Sequence, residues 1–345
     1  MRRARILAPV LAASAVLSAC ATGATDTTAA SDDVTVTNCG KRVSFPSPAE
    51  RLFVNDGNMI SMVLALGAQQ QVAAVSSMQR DRPVLRKHYG DAVGRLDDVA
   101  PAYPSRETVL AQRPDVVVAG WNYGFDETKK LTPASLRQLG IGGYVLTESC
   151  RQGAGAARGI VDPWTALRTD LRNLGAITGR DKRAEQVVAD IAERLAALRD
   201  APQPDVPPTV FLFDSGDKNI FSSGTLGAPQ AIITAAGGRN ALDDIKDTWT
   251  EVSWERFAAA KPDAILFVDY PPQTFEQKVR ILREHAATKD LAAVREERFL
   301  NLPYALWTSG PLNIDAAEQV RQTLERWDLV PRSGITPKHG SDAVR

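Results

Sequence analysis

Residues Asp181 to Asp200 read DKRAEQVVADIAERLAALRD, an unbroken helical pattern near the middle of a 345-residue chain. Ala184, Val187, Val188, Ile191, Leu195 and Leu198 recur at three- and four-residue spacing and so line one face, while charges cover the other. Pro202, Pro204, Pro207 and Pro208 end the pattern, because proline lacks an amide hydrogen and clashes with the preceding turn. At about 1.5 Å per residue such a helix spans roughly 30 Å, the width of a small domain.

The same phrase flanks this helix on both sides. Upstream, Ser105-Arg-Glu107 leads to Pro114-Asp115 and Val116, Val117, Val118; downstream, Ser253-Trp-Glu255 leads to Pro262-Asp263 and Ala264, Ile265, Leu266, Phe267. In both, seven positions separate Glu from Pro (107 to 114, 255 to 262). A serine-capped helix running into an apolar strand thus occurs twice, and the chain reads as two similar α/β lobes joined by a rod.

With 44% hydrophobic residues the chain can build two cores. Arg2, Arg3 and Arg5 precede an apolar run from Ile6 to Leu17 that is too short to span a bilayer. Leu17-Ser18-Ala19-Cys20 resembles a bacterial lipobox, so residues 1–19 are expected to be a lipoprotein signal peptide and Cys20 the lipidated residue; an ordinary cleaved leader is the alternative. Residues 20–33 lack periodicity and read as a flexible tether. Without residues 1–19 the chain carries 38 basic and 41 acidic residues, a balance that argues against nucleic acid as a partner. Export leaves Cys39 and Cys150 as an even pair in an oxidising compartment, expected as a disulfide, with two free thiols as the alternative.

The boundaries that follow are an N-terminal lobe over 34–180, the connecting helix over 181–200, a C-terminal lobe over 201–330 and a loose tail over 331–345. Apolar strands at Arg51–Asn55, Val72–Val75, Val116–Val118 and Tyr144–Leu146 alternate with helices, as do Thr209–Phe213, Ala264–Phe267 and Phe299–Leu302 in the second lobe. Asn240 to Thr250 reads as an irregular polar connection. Strands alternating with helices imply parallel sheets, with ligand-bearing loops at the carboxyl ends of the strands.

The opening Arg51-Leu-Phe-Val, the helix end Leu64-Ala-Leu66-Gly67-Ala68, both Glu-to-Pro-Asp phrases and the central helix together resemble the class III periplasmic-type substrate-binding proteins that feed ABC importers of iron siderophores, haem and cobalamin. The resemblance runs from about Asp33 to Trp327. It implies two Rossmann-like lobes joined by a single long helix, a ligand cleft between them, and little hinge closure. It also implies an ABC permease with its ATPase as partners, a monomeric protein lipid-anchored on the extracytoplasmic face of the cell membrane, and no catalysis and no resident cofactor. The cargo it implies is an iron-siderophore-type complex, with cobalamin, haem or a deazaflavin-type cofactor precursor as alternatives. Family members carry an acidic residue at the tip of each lobe that pairs with permease arginines, and Glu107 and Glu255 match those positions, although both would also serve as first-turn acids of capped helices. Two departures bear on the cargo. Asn58-Met59-Ile60-Ser61 stands where many members have a glutamate, and the cysteine pair with the Ser223-Gly-Thr-Leu-Gly-Ala228 loop resembles an actinobacterial subgroup assigned to deazaflavin precursors.

A cleft for a bulky chelate needs aromatic walls and a few placed polar groups. The candidates at strand ends are Asn55, Asp56, Arg80, Trp121, Tyr123, Asp214, Lys218, Phe221, Trp249, Tyr270 and Trp307, with Phe125 and Arg82 beside them. Lobe packing is the alternative for each aromatic, a solvated surface for each cation. His88, His285 and His339 have no close spacing, so no metal site is expected, and the metal would arrive within a ferric chelate. Gly153 to Gly159 misses a dinucleotide loop and no hydrolase motif occurs, which leaves an exported hydrolase as a weak alternative.

Overall fold

The computed structural model describes residues 32–344; the leader over 1–19, Cys20 and most of the expected tether lie outside the described residues. The first elements are β1 (Asp32–Asn38) and β2 (Lys41–Ser47), an antiparallel hairpin turned at Cys39 and Gly40, whose φ angles of 48° and 72° suit a two-residue turn. Then β3 (Leu52–Asn55), α1 (Gly57–Ala65), β4 (Val72–Ser76), α2 (Arg82–Tyr89), β5 (Asp98–Ala100), α3 (Arg106–Ala111), β6 (Val116–Trp121), the two-residue β7 (Gly124–Phe125), α4 (Pro133–Arg137) and β8 (Gly142–Val145) alternate. Parallel pairing orders the main strands β5-β4-β3-β6-β8. Their runs of apolar residues are buried on both faces, as parallel strands covered by helices require.

Two helices carry the chain across: α5 (Pro163–Thr178) and α6 (Asp181–Asp200). The bounds of α6 match the sequence reading; Ala184, Val187, Val188, Ile191 and Leu198 are buried, and Leu195 is partly so. Gly175 lets the pair approach, since a Cβ there would stand 2.6 Å from that of Ala184. Arg183 Nε donates to Ala65 O of α1, so α6 is tied to the first lobe as well as to the second.

Beyond it lie β9 (Thr209–Phe213), β10 (Ser215–Gly216), β11 (Ile220–Ser223), α7 (Ala228–Ala235), β12 (Arg239–Asn240), β13 (Trp249–Val252), α8 (Trp254–Ala260), β14 (Ala264–Asp269), α9 (Phe275–Glu284), α10 (Ala292–Arg295), β15 (Phe299–Pro303), α11 (Tyr304–Trp307) and α12 (Asn313–Arg326). A second parallel sheet has the order β12-β9-β14-β15, with an antiparallel ribbon β10-β11-β13 beside it. The chain therefore folds as two Rossmann-like lobes joined through α6, and among the described residues no strand pairs across from one sheet to the other. The stretch expected to be irregular, Asn240 to Thr250, begins in β12 and ends in β13. Both are short strands whose partners lie far off in sequence, which periodicity cannot register.

The duplicated phrase folds the same way twice. Ser105 and Ser253 cap their helices at φ/ψ of −77°/164° and −77°/161°, each hydroxyl accepting from the amide three residues on. Asp115 exchanges bonds with the start of β3: its carboxylate accepts from Arg51 N, and its own amide donates to Arg51 O. Asp263 does the same with Thr209 at the start of β9. Each Pro-Asp thus fixes the register between the phrase's strand and the first strand of its sheet.

The segment after Pro331 corrects an expectation: it is docked, not loose. Asn313 to Glu325 of α12 are almost entirely buried, polar residues included, and buried polar groups need partners. The segment supplies several of them. Lys338 N donates to Glu318, Asp342 exchanges bonds with Gln319, and Val344 N donates to Asn301 O. The expected disulfide is present as Cys39–Cys150, with Cα atoms 5.3 Å apart, and ties the hairpin to the loop after β8.

Candidate ligand-binding site

In each sheet the first strand sits between neighbours on opposite sides: β3 between β4 and β6, β9 between β12 and β14. At such a switch point the outgoing loops part to opposite faces and leave a crevice at the carboxyl ends. Asn55, Asp56 and Trp121 to Tyr123 stand at the first switch, Asp214 and Tyr270 at the second. The two lobes meet along these strand ends in one seam, crossed by direct contacts.

Asp56 is the hub. Fully buried, it accepts from Arg80 Nη2 at 2.6 Å, Tyr103 OH at 3.1 Å and Tyr304 OH at 3.0 Å, and the last bond crosses the seam. Its φ of 72°, and that of Ser77 at 60°, are left-handed conformations that cost a non-glycine residue about 1–3 kcal/mol and persist where surroundings hold them. The Arg80 guanidinium, from the first lobe, lies 4.5 Å from the ring centres of both Tyr270 and Tyr304 of the second. A desolvated cation over two tyrosine faces is strongly held.

A second bridge runs through Glu148, which accepts from Trp249 Nε1 at 3.1 Å and Ser309 N at 2.9 Å. Arg158 donates to the carbonyls of Trp121 and Trp249, and Asn58 Nδ2 to Ser309 O. In the second lobe Lys278, fully buried, donates to Val268 O and Tyr270 O near Asp214. Along this seam Asn58 Oδ1, Tyr123 OH and Ser309 Oγ are buried without a protein hydrogen-bond partner, and Arg80 Nε and Asp81 Oδ2 face each other only as an ion pair at 3.7 Å. Such groups are costly to bury, and several of them are concentrated along this seam.

Burial governs the proton affinities. It pushes Asp81 and Glu148 up to about 7 and Asp214 up to about 6, against the pull of Arg80 on Asp81, of Trp249 and Arg158 on Glu148 and of Lys278 on Asp214. Asp56 is raised by burial too, with Arg80 opposing. Burial lowers Lys278, while Asp214 and Asp269 resist. Carboxyls that hold protons more tightly folded than unfolded lose stability as pH climbs from about 4 through 7, at about 1.4 kcal/mol per tenfold change in affinity. The thermal midpoint is therefore expected to fall by roughly 3–6 °C between pH 5.5 and pH 8. Scanning fluorimetry across that range checks this, and Glu148→Gln should flatten the slope; a midpoint that rises with pH contradicts the reading.

Asn55, Asp56, Arg80, Tyr123, Asp214, Trp249 and Tyr270 come together at the seam, and half-buried Phe221 stacks on Trp249 at 5.8 Å. Three expectations need correction. Trp307 is fully buried and donates to Phe267 O, so it belongs to the core. Lys218 is exposed on the turn between β10 and β11, and the cation near Asp214 is Lys278. The Trp121 ring lies against Arg151, 4.0 Å from its guanidinium, so that only its carbonyl meets Arg158. Sequence reading missed Tyr103, Glu148, Arg158, Lys278, Tyr304 and Ser309. Lys278 carried one signal, a lysine four residues past the Thr274 cap of a short helix at a strand end. Glu107 and Glu255 are both fully exposed on capped first turns, each carboxyl held below its usual range by its own backbone amide and the cap serine.

Among the described residues no helix is long and apolar enough to cross a membrane. The sequence profile of the family described as "Periplasmic binding protein" matches residues 55–306. The vitamin B12-binding protein of Salmonella typhi is 26% identical over 162 residues, 46% of this chain and 53% of that protein, so the match spans about half the length of that relative. Among solved structures, an ABC-type Fe3+-hydroxamate transport system protein from Saccharomonospora viridis superimposes with a TM-score of 0.70 at 20% identity, covering 84% of this chain and 98% of that one. A periplasmic heme-binding protein from Pseudomonas aeruginosa gives 0.63 at 21%, covering 86% and 99%. At these identities the structural likeness is one of fold.

Proposed function

Because the chain belongs to the periplasmic binding protein family, a family of binding proteins and not of enzymes, we propose that it is the extracytoplasmic receptor of an ABC importer, taking its cargo at the seam between the lobes. The observation that carries this reading is the meeting of both topological switch points at one line of buried, unpartnered polar atoms. The tyrosine and tryptophan rings, with Arg80, Arg158 and Lys278 set against Asp56, Glu148 and Asp214, favour a bulky molecule that offers both apolar faces and polar atoms, with an iron-siderophore-type chelate first among them. The B12-binding relative supports cobalamin as the second reading, and haem or a deazaflavin-type precursor shares the same chemistry. Native mass spectrometry against ferric hydroxamates, haem, cobalamin and a deazaflavin tests the set. Stoichiometric retention of one class is expected; retention of none of them counts against the seam as a receptacle.

In this reading Cys20 anchors the protein by lipid, the protein is a monomer, and Glu107 and Glu255 dock the two lobes on a permease that works with its ATPase. The two carboxylates stand on helices with the same cap geometry, one in each lobe, exposed and charged at neutral pH, which suits paired arginine contacts. Reversing both (Glu107→Lys with Glu255→Lys) is expected to cut cargo uptake in cells at least tenfold while the purified variant binds cargo as before. Unchanged uptake rejects docking through these residues.

A further inference from the structure

Histidines 88, 285 and 339 are scattered in the sequence, yet the fold brings two of them together. His88 closes α2, and His339 belongs to the segment docked on α12; their rings stand edge to face, 4.5 Å between centres. Asp315, in the first turn of α12 and 2% exposed, completes a trio: one ligating atom from each of His88, Asp315 and His339 lies within 4.8 Å of the others. The trio opens on a cavity of about 420 Å³ beside α6.

His88 is the residue that points to a ligand. Its side chain is 1% exposed, its Nε2 lies 3.2 Å from Asp342 Oδ2, and its Nδ1 is buried with no protein partner. With the Nε2 proton donated to the Asp342 carboxylate, Nδ1 carries a bare lone pair. A carboxylate behind one nitrogen and an open lone pair on the other is the arrangement that orients a metal-ligating imidazole and raises its basicity. Asp342 is itself fixed by Lys87 Nζ at 2.6 Å and Gln319 Nε2 at 2.9 Å. His339 Nδ1 lies 2.8 Å from Asp315 Oδ1, which Arg194 Nη2 also contacts at 2.9 Å, so Oδ1 carries both of these contacts.

We propose that His88, Asp315 and His339 form a binding site for a divalent first-row transition cation, with water completing its shell, and that the bound ion pins the segment after Pro331 to α2 and α12. Two imidazoles with one carboxylate suit Zn²⁺, Co²⁺ or Ni²⁺ and disfavour Ca²⁺ and Mg²⁺, which take oxygen ligands. Metal bonds of about 2.0–2.2 Å set ligand atoms roughly 3–3.5 Å apart, so the wider separations within the trio must close while the 2.8 Å contact of His339 with Asp315 opens. Rotation of His339, whose side chain is 38% exposed, supplies that movement. Arg194 offsets part of the Asp315 charge, which sets the affinity below that of a dedicated structural zinc site.

The test is equilibrium dialysis and calorimetry of the chelator-treated protein with Zn²⁺, with Co²⁺ as the spectroscopic probe. One equivalent is expected to bind with micromolar affinity, and Co²⁺ should show visible absorption of nitrogen-containing low-coordinate geometry. His339→Ala, at an exposed position that leaves the core intact, should weaken binding at least tenfold, and His88→Ala likewise; His285→Ala, whose ring stacks on Trp254 instead, should not. Zn²⁺ should also slow proteolysis within residues 332–344 of the wild type only. Equal affinity in wild type and His339→Ala, or no saturable binding by wild type, overturns the proposal.

Discussion

Arg80→Met is expected to lower stability by about 3 kcal/mol and to weaken cargo binding at least tenfold. The reason is the carboxylate it leaves behind: Asp56 is fully buried, and among the described residues Arg80 at 2.6 Å is its one cationic contact. Breaking a buried ion pair from one side costs about 3–5 kcal/mol, because the surviving charge loses its partner without regaining water. Arg80 is one-fifth exposed, which places the loss toward the lower end. The thermal midpoint should drop by roughly 5–10 °C. Replacing both partners, Arg80→Met with Asp56→Asn, should recover most of the stability while binding stays weak. Calorimetry on the two singles and the double gives the coupling directly. Equal, additive losses in stability would mean that the pair is not coupled.

Removing the disulfide by Cys39→Ser with Cys150→Ser is expected to cost more. It closes a loop of 111 residues, and on the chain-entropy account that constraint is worth about 4–5 kcal/mol, most of it exerted on the unfolded state. Unfolding in denaturant should show a midpoint shifted to that extent. The folded hairpin should stay in place, because Asn38 exchanges two bonds with Val145, at 2.7 and 2.9 Å, and Phe45 packs on Tyr144. Binding at the seam should persist in the variant below its lowered midpoint, which separates this loss from that of Arg80.

The contrast between these two sites reflects what local sequence can carry. α6 was legible to the residue because its apolar positions repeat within one element. The Pro-Asp phrases were legible because the same local solution, a serine cap followed by an aspartate bonded to the first strand, was written twice. Asn55, Asp56, Tyr123, Asp214 and Tyr270 could be placed because they lie at or just past strand ends, where a doubly wound topology parts its loops. Tyr103 and Tyr304 did not, since each reaches Asp56 from a loop or a four-residue helix whose place depends on the whole fold. Lys278 sits in an amphipathic helix among charges that are solvated, and only its backbone acceptors at the end of β14 reveal it as buried. Trp307 misled in the other sense: an aromatic after a strand end turned inward, toward the Phe267 carbonyl. The segment after Pro331 reads as loose because its partners are the buried polar residues of α12, which from sequence look like an exposed face.

The central claim, that cargo sits where the two switch points meet, is tested most directly by hydrogen–deuterium exchange with and without the cargo that native mass spectrometry selects. Protection is expected in Asn55–Asn58, Tyr123, Tyr270 and Tyr304–Ser309 together, in both lobes at once. Protection confined to one lobe, or falling on the cavity beside α6 while the seam exchanges as before, would contradict it.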